Sequence, residues 1–143
     1  IVKDAKQLGT KIKFISDGDV AGAIYAGIEE FKVDIYLGVG GAPEGVLAAA
    51  AIKCLGGQFQ ARLVLSNDHE IDKAKKMGIK DLKKKYYIND IVKDDVLFCA
   101  TGVTGGDLLQ GIKILDNGFY QSETYVLHHA SNLNKKIINK FKI

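Results

Sequence analysis

Arginine is almost absent from this chain, since Arg62 is the only one among 143 residues. Arginine is the side chain that most often holds phosphate through two parallel hydrogen bonds. A phosphate-binding role would therefore depend on backbone N–H groups, on lysines or on another polypeptide segment. The net charge of +3 comes from lysines spread along the chain, without a basic stripe interleaved with aromatic residues. We therefore expect no nucleic-acid partner.

Cysteine and long apolar runs are also scarce. The two cysteines, Cys54 and Cys99, lie among apolar neighbours, and we predict that both are reduced packing residues, as is usual in the cytoplasm. No stretch reaches the roughly 18 apolar residues that would span a bilayer, and no secretory signal is recognisable. These absences favour a cytoplasmic protein without a membrane partner. The length favours a single domain over residues 1–143.

Strand-like and helical patterns alternate along the chain, which predicts an α/β fold. Strand patterns occupy residues 11–15, 33–37, 59–65, 96–100 and 123–129. Helical spacing occupies residues 20–31, 43–55 and 69–77. The alternation in the first half predicts parallel strands joined by right-handed crossovers. The later connections are more irregular, so we expect a mixed, largely parallel sheet flanked by helices.

Two carboxylates surround a glycine at the end of the first predicted strand. This first elbow consists of Asp17, Gly18 and Asp19. Carboxylates accept hydrogen bonds from sugar hydroxyls, and glycine lets a ligand approach the backbone closely. Ligands of open α/β sheets bind at such strand ends. The alternative, which stays open, is that Asp19 caps the following helix while Gly18 forms a turn.

The second elbow, Gly38–Gly45, follows the next predicted strand and contains the only proline. Its glycines leave the backbone accessible to a ligand, and Pro43 suits the start of a helix. Glu44 would lie near the positive end of that helix, where a carboxylate stays ionised at low cost. This arrangement favours a bound cation or a phosphorylated sugar. The alternative is a tight strand–helix turn whose glutamate offsets the helix dipole.

A glycine loop, Thr101–Asp107, follows the predicted strand at residues 96–100. Its amides and hydroxyls suit an anion, although a plain surface turn would use the same residue types. His128 and His129 are adjacent in a predicted strand and should face opposite sides, so we interpret both as structural. The sequence contains no C-x-x-C pair, G-x-S-x-G elbow, P-loop or G-x-G-x-x-G fingerprint.

Taken in order, three segments resemble the class II fructose-1,6-bisphosphatases of the GlpX type. They read Ile-Ser-Asp-Gly-Asp-Val at 15–20, Gly-Val-Gly-Gly-Ala-Pro-Glu-Gly-Val at 38–46, and Ala-Thr-Gly-Val-Thr followed by Gly-Asp-Leu-Leu within 100–109. The chain resembles the carboxyl-terminal half of these enzymes over nearly its whole length. The resemblance implies half of a layered sugar-phosphatase fold, like that of inositol monophosphatases. The start at Ile1, in what looks like the middle of a helix, is what we expect of a fragment.

The resemblance implies hydrolysis of the 1-phosphate of fructose 1,6-bisphosphate in gluconeogenesis, with Mg²⁺ or Mn²⁺ as cofactor. Some relatives also accept sedoheptulose 1,7-bisphosphate. By the same resemblance, substrate contacts are implied for Asp17, Gly18, Asp19 and the backbone of Gly41, and metal binding for Glu44. The catalytic threonine and the other metal ligands would belong to a preceding half. We therefore expect no catalytic residue in this chain and no activity without that half.

Two positions depart from the family pattern. Gly105 stands where relatives often have lysine, and His128 where they often have arginine, so these two positions lack the expected phosphate contacts. An apolar face left by the preceding half also favours a homo-oligomer. A different hypothesis stays open at this point, namely a domain that binds a sugar phosphate without catalysis.

Overall fold

The computed structural model describes residues 1–16 and 18–142 of the chain. Its helices are α1 (Val2–Gln7), α2 (Asp19–Tyr25), α3 (Ala42–Cys54), α4 (Asp68–Lys76) and α5 (Ile88–Ile91). Its strands are β1 (Gln60–Ala61), β2 (Tyr86–Tyr87), β3 (Leu97–Thr101), β4 (Lys113–Ile114), β5 (Phe119–His128) and β6 (Leu133–Lys142). Short 3₁₀ turns occupy Glu29–Phe31 and Asp116–Gly118.

The long strand β5 is the centre of the main sheet. β6 pairs with β5 along its whole length on one side, from Phe119 opposite Lys142 to His128 opposite Leu133. β3 and β4 pair with different parts of the other side of β5. β1 and β2 form a separate two-stranded sheet. All of these described strand pairs are antiparallel.

Helices α2 and α3 pack against each other, and α3 contacts β3 and β5 of the main sheet. Alanines occupy positions 48–51 of α3, and all of them are buried. Such small side chains allow a helix to lie close to its neighbours. The buried cluster that joins helices and sheet consists of Ile24, Ala51, Phe98, Leu108, Leu109, Tyr125 and Leu127. The core therefore lies between the α2–α3 pair and the β3–β5 face.

The predicted mixture of helices and sheet is confirmed, but the prediction of a largely parallel sheet is wrong for the described strands. Residues 11–15 and 33–37, which flank α2, have no strand assignment in the described structure. A helical crossover fixes a parallel direction only when both flanking segments join one sheet. The longest pair, β5 and β6, is instead joined by residues 129–132, and so short a connection makes an antiparallel hairpin.

The two unpaired segments expose apolar side chains. Phe14 is 71% exposed, Ile35 73% and Leu37 70%, and Val39 continues the series at 79%. Val46 on the first turns of α3 is half-exposed as well. Where exposed apolar side chains form one continuous surface, they usually mark an interaction site. No helix in the described residues combines the length and the apolar character that crossing a membrane would need.

Candidate functional site

The first elbow is described only in part, because Asp17 lies outside the described residues. Gly18 precedes α2 as its N-cap residue, with φ of 83° and ψ of 44°. This left-handed conformation disfavours residues with a Cβ atom, so the glycine is required by the turn itself. Its carbonyl oxygen accepts the first hydrogen bond of α2 from the N–H of Gly22, at 2.8 Å.

Asp19 is the first residue of α2 and does not cap the helix, which removes the capping alternative for its side chain. Its Oδ1 accepts a hydrogen bond from the Tyr36 hydroxyl at 3.3 Å. Its Oδ2 faces the second elbow, since a Cβ atom added to Gly40 would lie only 2.5 Å from that oxygen. The Asp19 carboxylate therefore lies where the first elbow meets the second.

Tyr36 is the residue of this region that the sequence analysis missed. Its ring packs beside Gly22 of α2, where an added Cβ would lie 2.7 Å from a ring carbon. Its hydroxyl lies beside Gly38, where an added Cβ would be 2.5 Å away. Burial, together with the charge and the hydrogen bond of Asp19, raises the pKa of Tyr36 above 10.0. In the sequence, Tyr36 could have been noticed only as an aromatic residue placed just before a glycine-rich turn.

The second elbow leads into α3, with Gly41 as its extended N-cap residue. Pro43 lies at the start of the helix as predicted, and Glu44 lies in the first turn. The Glu44 carboxylate folds back against Gly41, because an added Cβ there would collide with Glu44 Oε2. Glu44 is exposed to solvent, and no cation of the described residues forms a salt bridge with it.

The glycine loop is tightly packed, which bears on the anion-binding interpretation. Gly102 is buried and donates its N–H to the carbonyl oxygen of Glu123 at 3.0 Å. Gly106 donates its N–H to the carbonyl oxygen of Leu109, also at 3.0 Å. The Thr101 hydroxyl is hydrogen-bonded across the sheet to that of Thr124 at 2.8 Å. These donors are therefore engaged within the fold, which favours the structural alternative for the loop.

The end of the glycine loop nevertheless lies near the first half of the chain. Asp107 is 3.8 Å from the ammonium group of Lys13, in the segment that precedes the first elbow. Burial raises the pKa of Tyr25, at the end of α2, and the negative charge of Asp107 adds to this effect. Residues of α2 and of the segment before it thus lie near both other segments of the family resemblance: Asp19 contacts the second elbow, and Lys13 and Tyr25 lie near Asp107 of the glycine loop.

The prediction that His128 and His129 face opposite sides is wrong, since both rings approach the carboxylate of Asp95, His129 at 3.8 Å and His128 more closely. The Nε2 of His128 is 2.8 Å from Asp95 Oδ2, and its Nδ1 is 2.8 Å from the Ser131 hydroxyl. Partial burial would raise the pKa of Asp95, but hydrogen bonds from His128 and from the N–H groups of Ala130 and Val96 lower it below 3.8. These contacts fasten the β5–β6 turn to the start of β3.

The predicted packing role of the two cysteines holds for one of them. Both thiols are free, and Cys54 is partly buried, with its pKa raised above 9.0 mainly by that burial. Its Sγ lies 3.5 Å from the carbonyl oxygen of Val96. Cys99 is exposed on the face of the main sheet that points away from the core. The interpretation of Cys99 as a packing residue is therefore wrong.

The described residues do not complete a metal site, since they contain no group of three or more His, Cys, Asp or Glu side chains able to hold an ion. Carboxylate oxygens suit Mg²⁺, and both Asp19 and Glu44 offer them. One or two carboxylates are nevertheless fewer than a phosphatase metal cluster needs. Two surface depressions, of about 310 and 480 Å³, are lined by residues within 69–77 and within 26–34, and neither lining includes a residue of the elbows.

Comparison with known sequences agrees with the motifs. Residues 1–141 match the sequence model of the family described as bacterial fructose-1,6-bisphosphatase, glpX-encoded. A fructose-1,6-bisphosphatase class 2 from Haemophilus influenzae is 39% identical over 151 aligned positions, covering 96% of this chain and 45% of the relative. A protein from Synechococcus sp. (strain JA-3-3Ab), named D-fructose 1,6-bisphosphatase class 2/sedoheptulose 1,7-bisphosphatase, is 34% identical, covering 92% of this chain and 41% of the relative.

The chain thus spans less than half the length of these curated relatives. The family match nonetheless extends over nearly all of its residues and includes both elbows and the glycine loop. The resemblance that the motifs predicted is confirmed, and the chain belongs to the GlpX-type family of bacterial fructose-1,6-bisphosphatases.

Proposed function

We propose that this chain is the substrate-side, carboxyl-terminal half of a metal-dependent phosphatase of gluconeogenesis in the cytoplasm. The enzyme would hydrolyse the 1-phosphate of fructose 1,6-bisphosphate to give fructose 6-phosphate and phosphate. The observation that supports this best is the contact between the two elbows, where the Asp19 carboxylate lies against Gly40. Both elbows belong to the matched family region.

In this proposal the first elbow binds the sugar. Asp17, Gly18 and Asp19 would contact hydroxyl groups, because carboxylates accept hydrogen bonds that hydroxyls donate. The backbone of Gly41 would line the same site. The exposed position of Asp19 at the start of α2 supports this role, since a ligand can reach it from solvent. Sedoheptulose 1,7-bisphosphate, a substrate named for one relative, is a second candidate of the same chemical class.

Glu44 would contribute a single ligand to Mg²⁺ or Mn²⁺, and the remaining ligands and the catalytic groups would come from a preceding half. The carboxylate is exposed in the first turn of α3, where a cation can reach it from solvent. No catalytic step is assigned to this chain. The apolar surface at Phe14, Ile35, Leu37 and Val39 would be covered by that half, and remaining apolar surface would serve a homo-oligomer.

The test is phosphate release from fructose 1,6-bisphosphate by a protein that joins this chain to the preceding half of its relatives, with and without Mg²⁺. We expect activity only with the metal, and we expect Glu44→Gln to reduce it at least tenfold while the melting temperature stays unchanged. Glu29→Gln, an exposed change outside both elbows, is the matched control. Full turnover and unchanged metal dependence in the Glu44→Gln variant would contradict the proposal.

A second candidate function is sugar-phosphate binding without catalysis. The absence of a three-ligand metal cluster from the described residues favours it for the chain taken alone. Calorimetric titration of this chain with fructose 6-phosphate separates the two candidates when it is combined with the activity assay. Binding together with an inactive joined protein would support the second candidate, whereas metal-dependent turnover would support the first.

A further inference from the structure

Tyr36 lies between the two elbows: its hydroxyl is beside Gly38 of the second and donates a hydrogen bond to Asp19 of the first. We propose that Tyr36 is a positioning residue that holds the Asp19 carboxylate against the second elbow, ready for the sugar hydroxyls. The proposal rests on the proposed function, because it requires Asp19 to contact the sugar. It assigns Tyr36 no contact with substrate, metal or the reacting phosphate.

The two oxygens of the Asp19 carboxylate have different neighbours. Oδ1 accepts the Tyr36 hydrogen bond at 3.3 Å, whereas Oδ2 faces the backbone of Gly40. Among the described residues, no lysine, arginine or histidine forms a salt bridge with Asp19. A short carboxylate at an exposed helix start is free to rotate unless a neighbour holds it. The described contact that limits this rotation is the tyrosine hydroxyl.

The surroundings of Tyr36 fix the ring itself. Gly22 and Gly38 lack side chains where the ring and its hydroxyl lie, since an added Cβ would come within 2.7 and 2.5 Å of them. A phenylalanine would fill the same space, so only the hydroxyl distinguishes tyrosine here. A tyrosine hydroxyl is protonated at neutral pH and can donate to Asp19, and burial and the neighbouring Asp19 raise the pKa of Tyr36 further.

The first experiment is a double-mutant cycle in the protein that joins this chain to its preceding half. Tyr36→Phe should raise KM for fructose 1,6-bisphosphate about fivefold, as expected for one net hydrogen bond, while kcat stays within about twofold. In the Asp19→Ala background, which removes the acceptor of the tyrosine hydrogen bond, the same change should have no further effect. Tyr120→Phe, which alters a tyrosine stacked on Phe141 in the main sheet, is the matched control and should leave both constants unchanged.

The second experiment reads the contact without catalysis. In the same protein labelled with ¹³C at the tyrosine ζ carbons, Asp19→Asn should lower the pKa of Tyr36 towards 10.0, because the neighbouring negative charge is removed. Addition of fructose 6-phosphate should shift the Tyr36 resonance and leave that of Tyr120 unchanged. A merely structural tyrosine would lose stability on substitution, with an equal kinetic cost in both Asp19 backgrounds.

The outcomes separate the two proposals. If the wild-type protein hydrolyses the bisphosphate but Tyr36→Phe has a normal KM, or an equal effect in both backgrounds, only the positioning role is overturned. If the wild-type protein neither hydrolyses nor binds the sugar phosphates, the proposed function fails and the positioning role fails with it. A KM raised by Tyr36→Phe in the wild-type background, no further rise in the Asp19 variant background and a lowered Tyr36 pKa in Asp19→Asn would together establish the role.

Discussion

Replacement of Gly102 by alanine should destabilise the protein strongly, because the structure leaves no room for a methyl group there. An added Cβ would collide with the backbone carbonyl oxygen of Gln110 and lie 3.1 Å from the Leu109 side chain. Backbone atoms cannot move aside by a side-chain rotation, so either the strand end at Gly102 or the returning chain at Gln110 must shift. A shift would also strain the hydrogen bond from Gly102 to Glu123.

The magnitude follows from two opposing effects. Overfilling a packed site costs about 1–3 kcal/mol, and weakening one net hydrogen bond adds about 1 kcal/mol. Alanine also reduces the conformational entropy of the unfolded chain, which stabilises the folded protein by about 0.4–1 kcal/mol. We therefore expect Gly102→Ala to reduce the free energy of unfolding by about 1–3.5 kcal/mol, from the sum of these contributions.

Gly106 provides the matched control, because it lies in the same loop and an added Cβ would meet nothing within 4 Å. Its φ is not positive, so alanine fits its backbone without strain. Gly106→Ala should be neutral or stabilising by about 0.5 kcal/mol. Urea unfolding of both variants, followed by circular dichroism, measures the difference. Equal urea midpoints for the two variants would contradict the tight packing of this loop and would favour the anion-binding interpretation instead.

Three further predictions concern the core, a charged contact and pH. Leu127→Ala should cost about 2–5 kcal/mol in urea unfolding because Leu127 is fully buried, whereas Leu97→Ala, at a position 60% exposed, should cost less than about 1 kcal/mol. Lys53→Met should lower the free energy of unfolding by about 1.5 kcal/mol, because it removes hydrogen bonds from the ammonium group. This group donates to the carbonyl oxygens of Val92, Lys93 and Asp94 at 2.7, 3.4 and 3.1 Å. An unchanged midpoint of urea unfolding would contradict this prediction. Asp95→Asn should destabilise the protein above pH 3.8, and the difference should vanish as pH falls through the lowered pKa of Asp95, which thermal unfolding across acidic pH would detect.

Helices α3 and α4 and the positions of the two elbows could be predicted from the sequence. Pro43 and the alanines after it predict α3 over residues 43–55, and the structure places it at Ala42–Cys54. Asn67 caps α4 by accepting a hydrogen bond from the N–H of Glu70 at 2.9 Å, close to the predicted start at residue 69. These features are local, so short sequence windows are sufficient to predict them.

The strand partners could not be predicted in the same way. Residues 11–15 have the alternation of a strand, yet hydrogen-bonding partners come from elsewhere in the chain or from another segment, and the local pattern cannot identify them. β6 (Leu133–Lys142) was not predicted either, because most of its side chains are polar or charged and exposed. Lysines along such an edge strand discourage further strand pairing, and they hide the strand from hydrophobic patterning.

The contact between the elbows was beyond local pattern analysis for a related reason. Tyr36 meets Asp19 across 17 positions of sequence, and the space that its ring fills is visible only as two glycines, Gly22 and Gly38. A missing side chain gives no signal of what occupies its space. The roles of the carboxylates stay predictions from residue type, made because sugar and cation binding require oxygen acceptors.

The way the elbows are held has a consequence for the proposed enzyme. The segments that precede them, residues 11–15 and 33–37, have no strand pairing in the described structure, so the elbows are joined by helix starts and by Tyr36 instead of by a shared sheet. The same segments expose Phe14, Ile35 and Leu37. A preceding half that covered these side chains would restrict both segments at once, and with them Asp19 and Glu44. Docking of that half and formation of the sugar site would then be coupled, so a polar substitution at Leu37 should weaken sugar-phosphate binding without touching the ligand.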